Sequence, residues 1–556
     1  MGRLTERVIN QVKKTKSHKK KKQTMKKKLF KTRLLSFAAF CGLTLAFASC
    51  ANEDVAQNPN NTDNDKNLTT FTAGDPSTRT SMESDGKFFW EAGDKIYVKD
   101  DNGAWHASSN SPTGKTDNFK FKVPGTYTAH MSYEVYYPGQ GSSNDQVVIS
   151  ANQSQAEPNT TAHFGAAGDC GMATATKVSG KQQFAFTLDH KAAYLLLLPR
   201  TSNTILHNCY LTKVEVNSDN DITSTYTLDP TTGKLTGTGT GKQIVLTTGG
   251  SGTYANGFPL TNNSTSAATN GSYVVIKPGT HTLKIRYWVK DLATNVEGTI
   301  TKTLASATYD QNKYYNITAN LDVKNYDGDH YYMWDAQQDY WAGHDRGADG
   351  KYLRGLAVNE IDMPNASPTT GSPRWYNPVY AYKVSKPATH SANQQPNVNL
   401  MCHWAIPDWD QAHWDSNKLW FGYGHLQKGG IWIRKRTSPP MVNKDWDFWG
   451  EDFRKNGLEQ TYVPAALSPN NNASNNHYTL RMPLPAGQES NFFFLPASGY
   501  GIGNRMRDIG RGGHYWTSTP SSGSHTDYAF YFYFNQSEIH VRAWVRTVGS
   551  RIARFY

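Results

Sequence analysis

Short runs of alternating apolar and polar residues dominate the region 71–325. The clearest are 95–98, 119–123, 214–216 and 283–289, and polar turns rich in Gly, Asn and Asp separate them. Alternation with a period of two places successive side chains on opposite faces of a strand, and closely spaced turns are typical of β-sandwiches. No long helical periodicity interrupts this region. The pattern therefore predicts two tandem β-sandwich domains, at residues 71–200 and 201–325.

The composition changes sharply near residue 326. Of the 15 Trp residues, 12 lie between Trp334 and Trp544. Residues 528–534 and 539–545 are strand-like, whereas residues 404–456 are rich in Trp, Asp, Gly and Lys and predict short helices and long loops. We therefore predict a mainly β protein whose two β-sandwiches are followed by a separate α+β domain at residues 326–556.

A lipoprotein-type secretion signal precedes these domains. Lysines and an arginine at 26–33 are followed by an apolar stretch at 34–48, a small residue and then Cys50. This order is typical of a signal peptide, here residues 25–49, and the apolar part is shorter than the ~20 residues that span a bilayer. We expect acyl chains on Cys50 and a membrane attachment through this anchor only. Residues 1–24 are interpreted as an upstream extension, with the start at Met1 or Met25 left open.

The net charge of +12 belongs to the leader. Residues 1–33 carry 14 of the 58 basic side chains and 1 of the 46 acidic ones, so 44 basic and 45 acidic side chains remain. The mature chain is close to neutral, which argues against a nucleic-acid-binding protein.

A polar segment and few cysteines follow the signal. Residues 50–70 are mostly Asn, Asp, Thr and small residues, and are expected to form a flexible tether. The acidic pair Glu53-Asp54 after Cys50 resembles the surface-export signal of Bacteroidetes lipoproteins, or is an ordinary polar linker. Beyond the tether only Cys170, Cys209 and Cys402 remain, so no disulfide framework, metal site or cofactor is predicted.

Several spaced motifs within residues 70–325 resemble the fimbrillin family, the Mfa-like subunits of type V pili. They are Thr78-Arg79-Thr80-Ser81, 85–90, 93–98, 184–198, Lys277-Pro278-Gly279 and 314–321. The resemblance implies two fimbrillin (transthyretin-like) β-sandwiches made as an outer-membrane lipoprotein. It also implies polymerisation in which proteolysis after an Arg removes an N-terminal strand and the next pilus subunit donates a replacement. Arg79 is the candidate cleavage residue, and the alternative is that it begins a strand.

The end of the chain resembles the C-type-lectin-like modules of related secreted proteins. The matching segments are 332–336, 432–435, 494–500, 513–519, 529–532 and 546–549. The formylglycine-generating enzyme belongs to the broader relatives, but its activity needs a Cys pair that this sequence lacks after Cys402. A lectin-type calcium site is not expected either, because only half of its usual residue pattern is present.

Aromatic residues of this region give candidate glycan-binding positions. A pyranose ring packs its apolar C–H face on an indole, while nearby carboxylates accept its hydroxyls. The candidates are Trp404, Trp409, Trp414, Trp420, Asp408 and Asp410. The alternative is that these indoles are structural, because Trp is highly buried on average. No catalytic residue is predicted, since no Asp pair stands in a recognisable glycosidase context.

These observations predict a surface lipoprotein of a fimbrium, with a tip or accessory position because a bulky C-terminal domain would obstruct a stalk contact. The C-terminal domain would then bind glycans or proteins of host or bacterial cells. One alternative is a surface glycan-binding lipoprotein that does not polymerise. Another is a secreted carbohydrate-active enzyme.

Overall fold

The computed structural model describes residues 67–74, 81–82, 88–326, 331–343, 361–362, 367–378, 388–393, 395–396, 412–435, 484, 487–521 and 527–553. The predicted signal peptide, Cys50, all but the last residues of the tether, and Arg79 lie outside these ranges. Within them the chain is mainly β, as the alternation predicts. The described helices are one-turn segments, α1 (Phe164–Ala167) and α2 (Ala267–Asn270), with 3-10 turns at Leu206–Asn208, Gly252–Tyr254 and Glu489–Asn491.

Twenty-four strands are described before residue 326. In chain order they are β1 (Leu68–Ala73), β2 (Ser81–Met82), β3 (Phe88–Phe89), β4 (Tyr97–Lys99), β5 (Trp105–Ala107), β6 (Phe119–Pro124), β7 (Ser132–Tyr137), β8 (Gln146–Ile149), β9 (Asn152–Gln155), β10 (Gly171–Lys177), β11 (Gln183–Phe186), β12 (Asp189–His190), β13 (Ala193–Arg200), β14 (Cys209–Ser218), β15 (Ser224–Asp229), β16 (Lys234–Thr236), β17 (Gln243–Thr248), β18 (Phe258–Pro259), β19 (Ser272–Ile276), β20 (Gly279–His281), β21 (Leu283–Asp291), β22 (Val296–Thr303), β23 (Ala307–Tyr309) and β24 (Tyr314–Asn320).

The first β domain is built on one eight-stranded sheet. Its strand order is β5-β4-β7-β10-β11-β1-β6, and β12 pairs with β10. The Ser109 amide, just beyond β5, donates to the Lys122 carbonyl of β6 at 2.7 Å, so the two edges of the sheet approach each other. The sheet thus curls around a buried cluster that includes Phe71, Trp90, Phe121 and Phe184.

The second β domain is a sandwich, and it takes strands from before the predicted boundary. A six-stranded sheet (β22-β21-β14-β17-β9, with β18 on β14) and two three-stranded sheets (β19-β13-β24 and β16-β15-β8) enclose one buried core. Strands β8, β9 and β13 belong here by their pairing with β15, β17 and β24. A boundary at 200/201 is therefore wrong, because β8, β9 and β13 precede residue 201 but complete the sheets of the second domain. Strands β10 to β12, which lie between β9 and β13 in the chain, belong to the first sheet.

Eleven strands are described after residue 326. In chain order they are β25 (Tyr331–Tyr332), β26 (Ile361–Asp362), β27 (Ala412–Gly422), β28 (His425–Arg434), β29 (Phe492–Pro496), β30 (Ser498–Ile502), β31 (Arg505–Ile509), β32 (Gly512–Pro520), β33 (Tyr528–Asn535), β34 (Ile539–Val545) and β35 (Ser550–Arg551).

In the described part of the C-terminal region, two sheets share a core. An eight-stranded sheet follows the order β25-β35-β32-β30-β31-β26, with β33 and β34 continuing from β32, and a three-stranded sheet is formed by β27-β28-β29. Ile431 and Phe493 of the small sheet pack with Tyr515, Phe532 and Val541 of the large one. The described part of 326–556 contains no α-helix, so the α component of the predicted α+β domain remains a prediction outside the described residues.

Buried hydrogen bonds connect the C-terminal region to the second β domain. Asp291, at the end of β21, accepts hydrogen bonds from His425 Nδ1 at 3.1 Å and from the Leu426 amide at 3.0 Å. Thr294 Oγ1 donates to the Leu426 carbonyl at 3.0 Å. Leu419, Phe421 and Leu426 also enter the core of the second domain. The two regions therefore share an apolar core as well as hydrogen bonds.

Three further features concern membrane-spanning helices, metal ions and cysteines. No helix in the described ranges is long and apolar enough to cross a membrane. Among the same residues, no group of three or more His, Cys, Asp or Glu side chains is arranged to hold a metal ion. Cys170 and Cys209 are free and buried, and burial raises the pKa of both thiols.

Candidate functional sites

Strand β1 is an internal strand of the first sheet, between β11 and the edge strand β6, although it is the first described strand of the chain. It pairs antiparallel with β6 over six residues, Leu68–Ala73, and parallel with β11 over four. Both of its edges are therefore hydrogen-bonded. Its sequence LTTFTA alternates, and the side chains of Thr69, Phe71 and Ala73 are the buried ones. The strand fills the groove between β6 and β11, and it precedes both of these strands in the chain.

Phe71 is the main apolar contact of β1. Its ring is fully buried, stacks on Phe184 with centroids 5.1 Å apart, and meets the Tyr127 ring edge-on at 5.2 Å. On the opposite face of the strand, Thr72 Oγ1 accepts a hydrogen bond from Gln183 Nε2 at 2.7 Å. Loss of β1 would remove Phe71 from the core and leave the edges of β6 and β11 unpaired.

Arg79 follows β1 closely in the sequence. The last residue of β1 is Ala73, and the next described strand, β2, begins at Ser81. Arg79 itself lies outside the described residues, so its cleavage remains a prediction. A cut after Arg79 would nevertheless separate β1 covalently from every later strand, because β1 is connected to them only through this segment.

The predicted glycan-binding residues are only partly placed. Trp404, Trp409, Asp408 and Asp410 lie outside the described residues. Trp414 and Trp420 both lie on β27, but the β27–β28 register shifts between Asp415 and Leu419. Trp414 is half-buried and packs against the core between the two C-terminal sheets, with its ring 6.4 Å from that of Phe534.

Trp420 is wrong as a glycan-stacking residue. Its side chain is 0% exposed, and its Nε1 donates to the Gly429 carbonyl at 2.9 Å. The indole packs with Tyr331, Tyr423 and Phe494 in a separate buried cluster. It presents no face to a sugar, because the displaced register directs it into the interior.

A cavity of about 940 Å³ opens beside these strands, where the second β domain meets the C-terminal sheets. Its walls are mainly aromatic and aliphatic, with four basic side chains among them. The lining residues are Lys324, Tyr326, Lys418, Leu419, Trp432, Lys435, Phe492, Phe493, Phe494, Leu495, Pro496, Tyr515, Arg551, Ile552 and Ala553. We call this cavity the junction pocket.

The basic groups of the junction pocket lie against its aromatic rings. Lys324 Nζ is 4.7 Å from the ring centroid of Tyr326, and Lys418 Nζ is 5.1 Å from that of Trp432. Arg551 is largely buried, with its guanidinium carbon 5.2 Å from the Tyr326 centroid. Cation–π attraction of about 0.5–2 kcal/mol holds such groups in place without neutralising them.

Hydrogen bonds fix two of the aromatic walls. Trp432 Nε1 donates to Asp415 Oδ2 at 3.1 Å, and the Tyr326 hydroxyl donates to the Phe494 carbonyl at 3.3 Å. Burial raises the pKa of Tyr326 to about 12, against the opposing influence of Arg551. The phenol therefore stays neutral at physiological pH, and the positive charge of the pocket is not offset there.

The sequence did not indicate this pocket. Its lining comes from five separated segments, 324–326, 418–435, 492–496, Tyr515 and 551–553, which only the folded sheets bring together. The available signal was the segment 432–435, in which a Trp precedes Arg and Lys. That segment entered the prediction only as part of a family resemblance.

Comparisons with known proteins give structural likenesses at low similarity. No family model matches the chain, and no curated protein matches it in sequence. A candidate cell adhesion protein from Bacteroides uniformis is 18% identical, with 46% of this chain and 92% of that chain covered and a TM-score of 0.26. A candidate cell adhesion protein from Bacteroides ovatus is 15% identical over 46% of this chain and 93% of that chain, with a TM-score of 0.29. A fimbrial protein from Bacteroides ovatus is 10% identical over 87% of this chain and 98% of that chain, with a TM-score of 0.24. Likenesses at such TM-scores do not establish a function.

Proposed function

We propose that this protein is a cell-surface adhesion protein that is first held at the outer membrane by lipid on Cys50 and assembles as a fimbrial subunit once the segment carrying that lipid is cut away. The observation that carries the proposal is the position of β1. It is an N-terminal strand, paired on both edges by β6 and β11, and Arg79 stands shortly after it in the chain. Proteolysis there would free a strand whose place a neighbouring subunit can fill.

The physical basis of assembly is β-strand addition. An empty place between β6 and β11 presents unpaired N–H and C=O groups on both sides and an apolar slot where Phe71 had been. Main-chain hydrogen bonds give affinity to an added strand, and pockets for alternate side chains give specificity. A donor strand with a large apolar residue at the Phe71 position fits this groove.

The contact between the second β domain and the C-terminal region supports a tip or accessory position. Strand β22 is an edge of its sheet, and an open edge would invite pairing with another chain. Leu419 packs so closely on Gly298 of β22 that a Cβ there would lie 2.5 Å from Leu419 Cδ2. Lys428 Nζ donates to the Glu297 carbonyl at 3.2 Å. The C-terminal region thus covers this edge, leaving the β1 groove for assembly.

The second candidate function is a surface glycan-binding lipoprotein that does not polymerise. The junction pocket favours it, because an aromatic pocket of this size suits a small ligand, for which pockets of ~300–1,000 Å³ are typical. Adhesion through the C-terminal region is common to both candidates. They differ only in whether β1 is exchanged.

Limited proteolysis tests the proposal. The mature protein is treated with an Arg-specific protease, alone and with separately purified pilus subunits of the same bacterium, and analysed by size-exclusion chromatography and electron microscopy. We expect a cut after Arg79, release of β1, and either polymers or capped subunits. The Arg79→Gln variant is the matched control and stays monomeric.

A negative result separates the two candidates. If the protein is cut after Arg79 and loses β1, yet stays monomeric and joins no other subunit, the fimbrial proposal is refuted. Glycan binding by that same monomer would then favour the non-polymerising lipoprotein.

A further inference from the structure

We propose that the junction pocket binds an acidic saccharide, one whose sugar rings carry carboxylate or sulfate groups. The proposal rests on the adhesive role proposed above and specifies its ligand class and location. It is carried by the combination of an aromatic cavity with basic groups at its wall, and it uses residues of both the second β domain and the C-terminal sheets.

The charge of the pocket is of one sign. Lys324, Lys418, Lys435 and Arg551 line it, and its lining includes no Asp or Glu. None of these four cations takes part in an ion pair among the described residues. Asp415, which is not a lining residue, accepts a hydrogen bond from the indole N–H of the lining residue Trp432. A chain that is nearly neutral beyond its leader therefore concentrates four positive charges at one cavity.

The four basic groups differ in their exposure and in the hydrogen bonds that they already make. Lys324 and Lys418 are exposed, with their Nζ atoms held near aromatic rings. Lys435 is half-buried, and its Nζ donates to the Ser490 carbonyl at 2.9 Å, which leaves two further N–H groups. Arg551 is largely buried, and its Nη1 lies 3.4 Å from the Tyr326 carbonyl. Carboxylate and sulfate oxygens are strong acceptors for such donors.

The apolar walls favour a sugar over a simple anion. Trp432 is half-buried at the wall, and Phe492, Phe494 and Leu495 add further apolar surface. The C–H face of a pyranose packs on such rings, whereas an inorganic anion has no apolar face. A volume of about 940 Å³ accommodates a short oligosaccharide. Single-stranded nucleic acids also combine charge with stacking, but they need an extended basic groove that tracks many phosphates, and this site is one local cavity.

Binding of defined oligosaccharides to the full mature chain tests this assignment. The probes are a heparin-derived tetrasaccharide, which carries sulfate and carboxylate, a tetragalacturonate, which carries carboxylate alone, and neutral maltotetraose, each measured by isothermal titration calorimetry. We expect at least one acidic probe to bind, and maltotetraose to bind at least ~10-fold more weakly. Tetragalacturonate binding indicates that carboxylate suffices, whereas binding of the heparin fragment alone indicates that sulfate is required. Raising the salt concentration should weaken binding, because it screens charges at the exposed lysines.

Two lysine substitutions locate the site without disturbing the core. The double variant Lys418→Gln and Lys435→Gln should weaken acidic-saccharide binding by ~10–100-fold, because each substitution removes one charged hydrogen-bond donor from the pocket. Lys284→Gln, an exposed lysine of β21 that does not line the pocket, should have no effect. Unchanged thermal unfolding of the double variant shows that its fold is intact.

Several outcomes would overturn the assignment. It fails if neither acidic probe binds, if maltotetraose binds as tightly as they do, or if the double variant binds as well as Lys284→Gln. Binding of a single-stranded oligonucleotide in preference to both acidic probes also overturns it. These outcomes can be told apart from failure of the fimbrial proposal. A protein that assembles after cleavage but binds no acidic sugar contradicts only the pocket assignment.

Discussion

Replacement of Phe71 by Ala probes how strongly β1 is held in its groove. The Phe71 side chain is fully buried between the rings of Phe184 and Tyr127. Burial of a Phe side chain contributes ~1.5–3 kcal/mol, and each well-placed aromatic pair adds ~0.5–1.5 kcal/mol. Core Phe→Ala changes cost ~3–5 kcal/mol in total. We therefore expect F71A to lower the stability of the first β domain by ~3–5 kcal/mol.

The same loss should ease strand release after cleavage. A weakening of about 3 kcal/mol or more corresponds to a greater than ~100-fold shift toward the released strand. The assay combines urea unfolding of the uncut chain with mass spectrometry of the protein before and after Arg-specific cleavage. Thr70→Ala is the matched control, because Thr70 lies on the same strand but is only half-buried. The reasoning is refuted if F71A and T70A agree within ~0.5 kcal/mol and release β1 equally.

Two further substitutions test the C-terminal region and its attachment. Trp420→Ala should lower the free energy of unfolding by ~3–5 kcal/mol in urea titrations, because the buried indole donates to Gly429; a variant of unchanged stability would contradict this structural role. Asp291→Asn should weaken the contact between the second β domain and the C-terminal region, and should increase hydrogen exchange at the Leu426 amide. Burial tends to raise the pKa of Asp291, but hydrogen bonds from His425 and Leu426 lower it overall. Its contribution is therefore present above the unfolded-state pKa of ~3.9 and is lost as pH falls through the lower folded-state value. Unfolding measured from pH 7 to pH 2 should show this acid-dependent loss in the native chain and less of it in D291N.

The strands were the most predictable part of the fold. Residues 283–289 fall within β21, and 119–123 within β6, because a sheet with one buried face imposes a period of two on the sequence. The domain boundary was not predictable in the same way. Nothing local in β8 (QVVI), β9 (NQSQ) or β13 (AYLLLLPR) specifies that they pair with strands about 75 to 120 residues later. Strand partners are chosen by packing over long sequence distances.

The tryptophan-rich region shows why composition locates a binding surface poorly. Trp420 and Trp432 both lie in strands beside charged residues, yet the first is fully buried and the second lines the junction pocket. The irregularity between Asp415 and Leu419 decides which face Trp420 occupies. Side-chain direction in a strand depends on register, and a bulge changes that register without a distinctive sequence signal. Lys324 and Arg551, more than 200 residues apart, meet only through the fold.

Hydrogen–deuterium exchange at β6 and β11 tests the central claim, that β1 can be replaced by a strand from another chain. Amides of β6 and β11 should be protected in the uncut protein, lose protection after cleavage at Arg79 and release of β1, and regain it when a synthetic peptide of residues 66–76 is added. The same peptide with Ala at position 71 should restore protection far less. If β6 and β11 stay protected after β1 has left, or if no added strand restores their protection, the groove is not an assembly site.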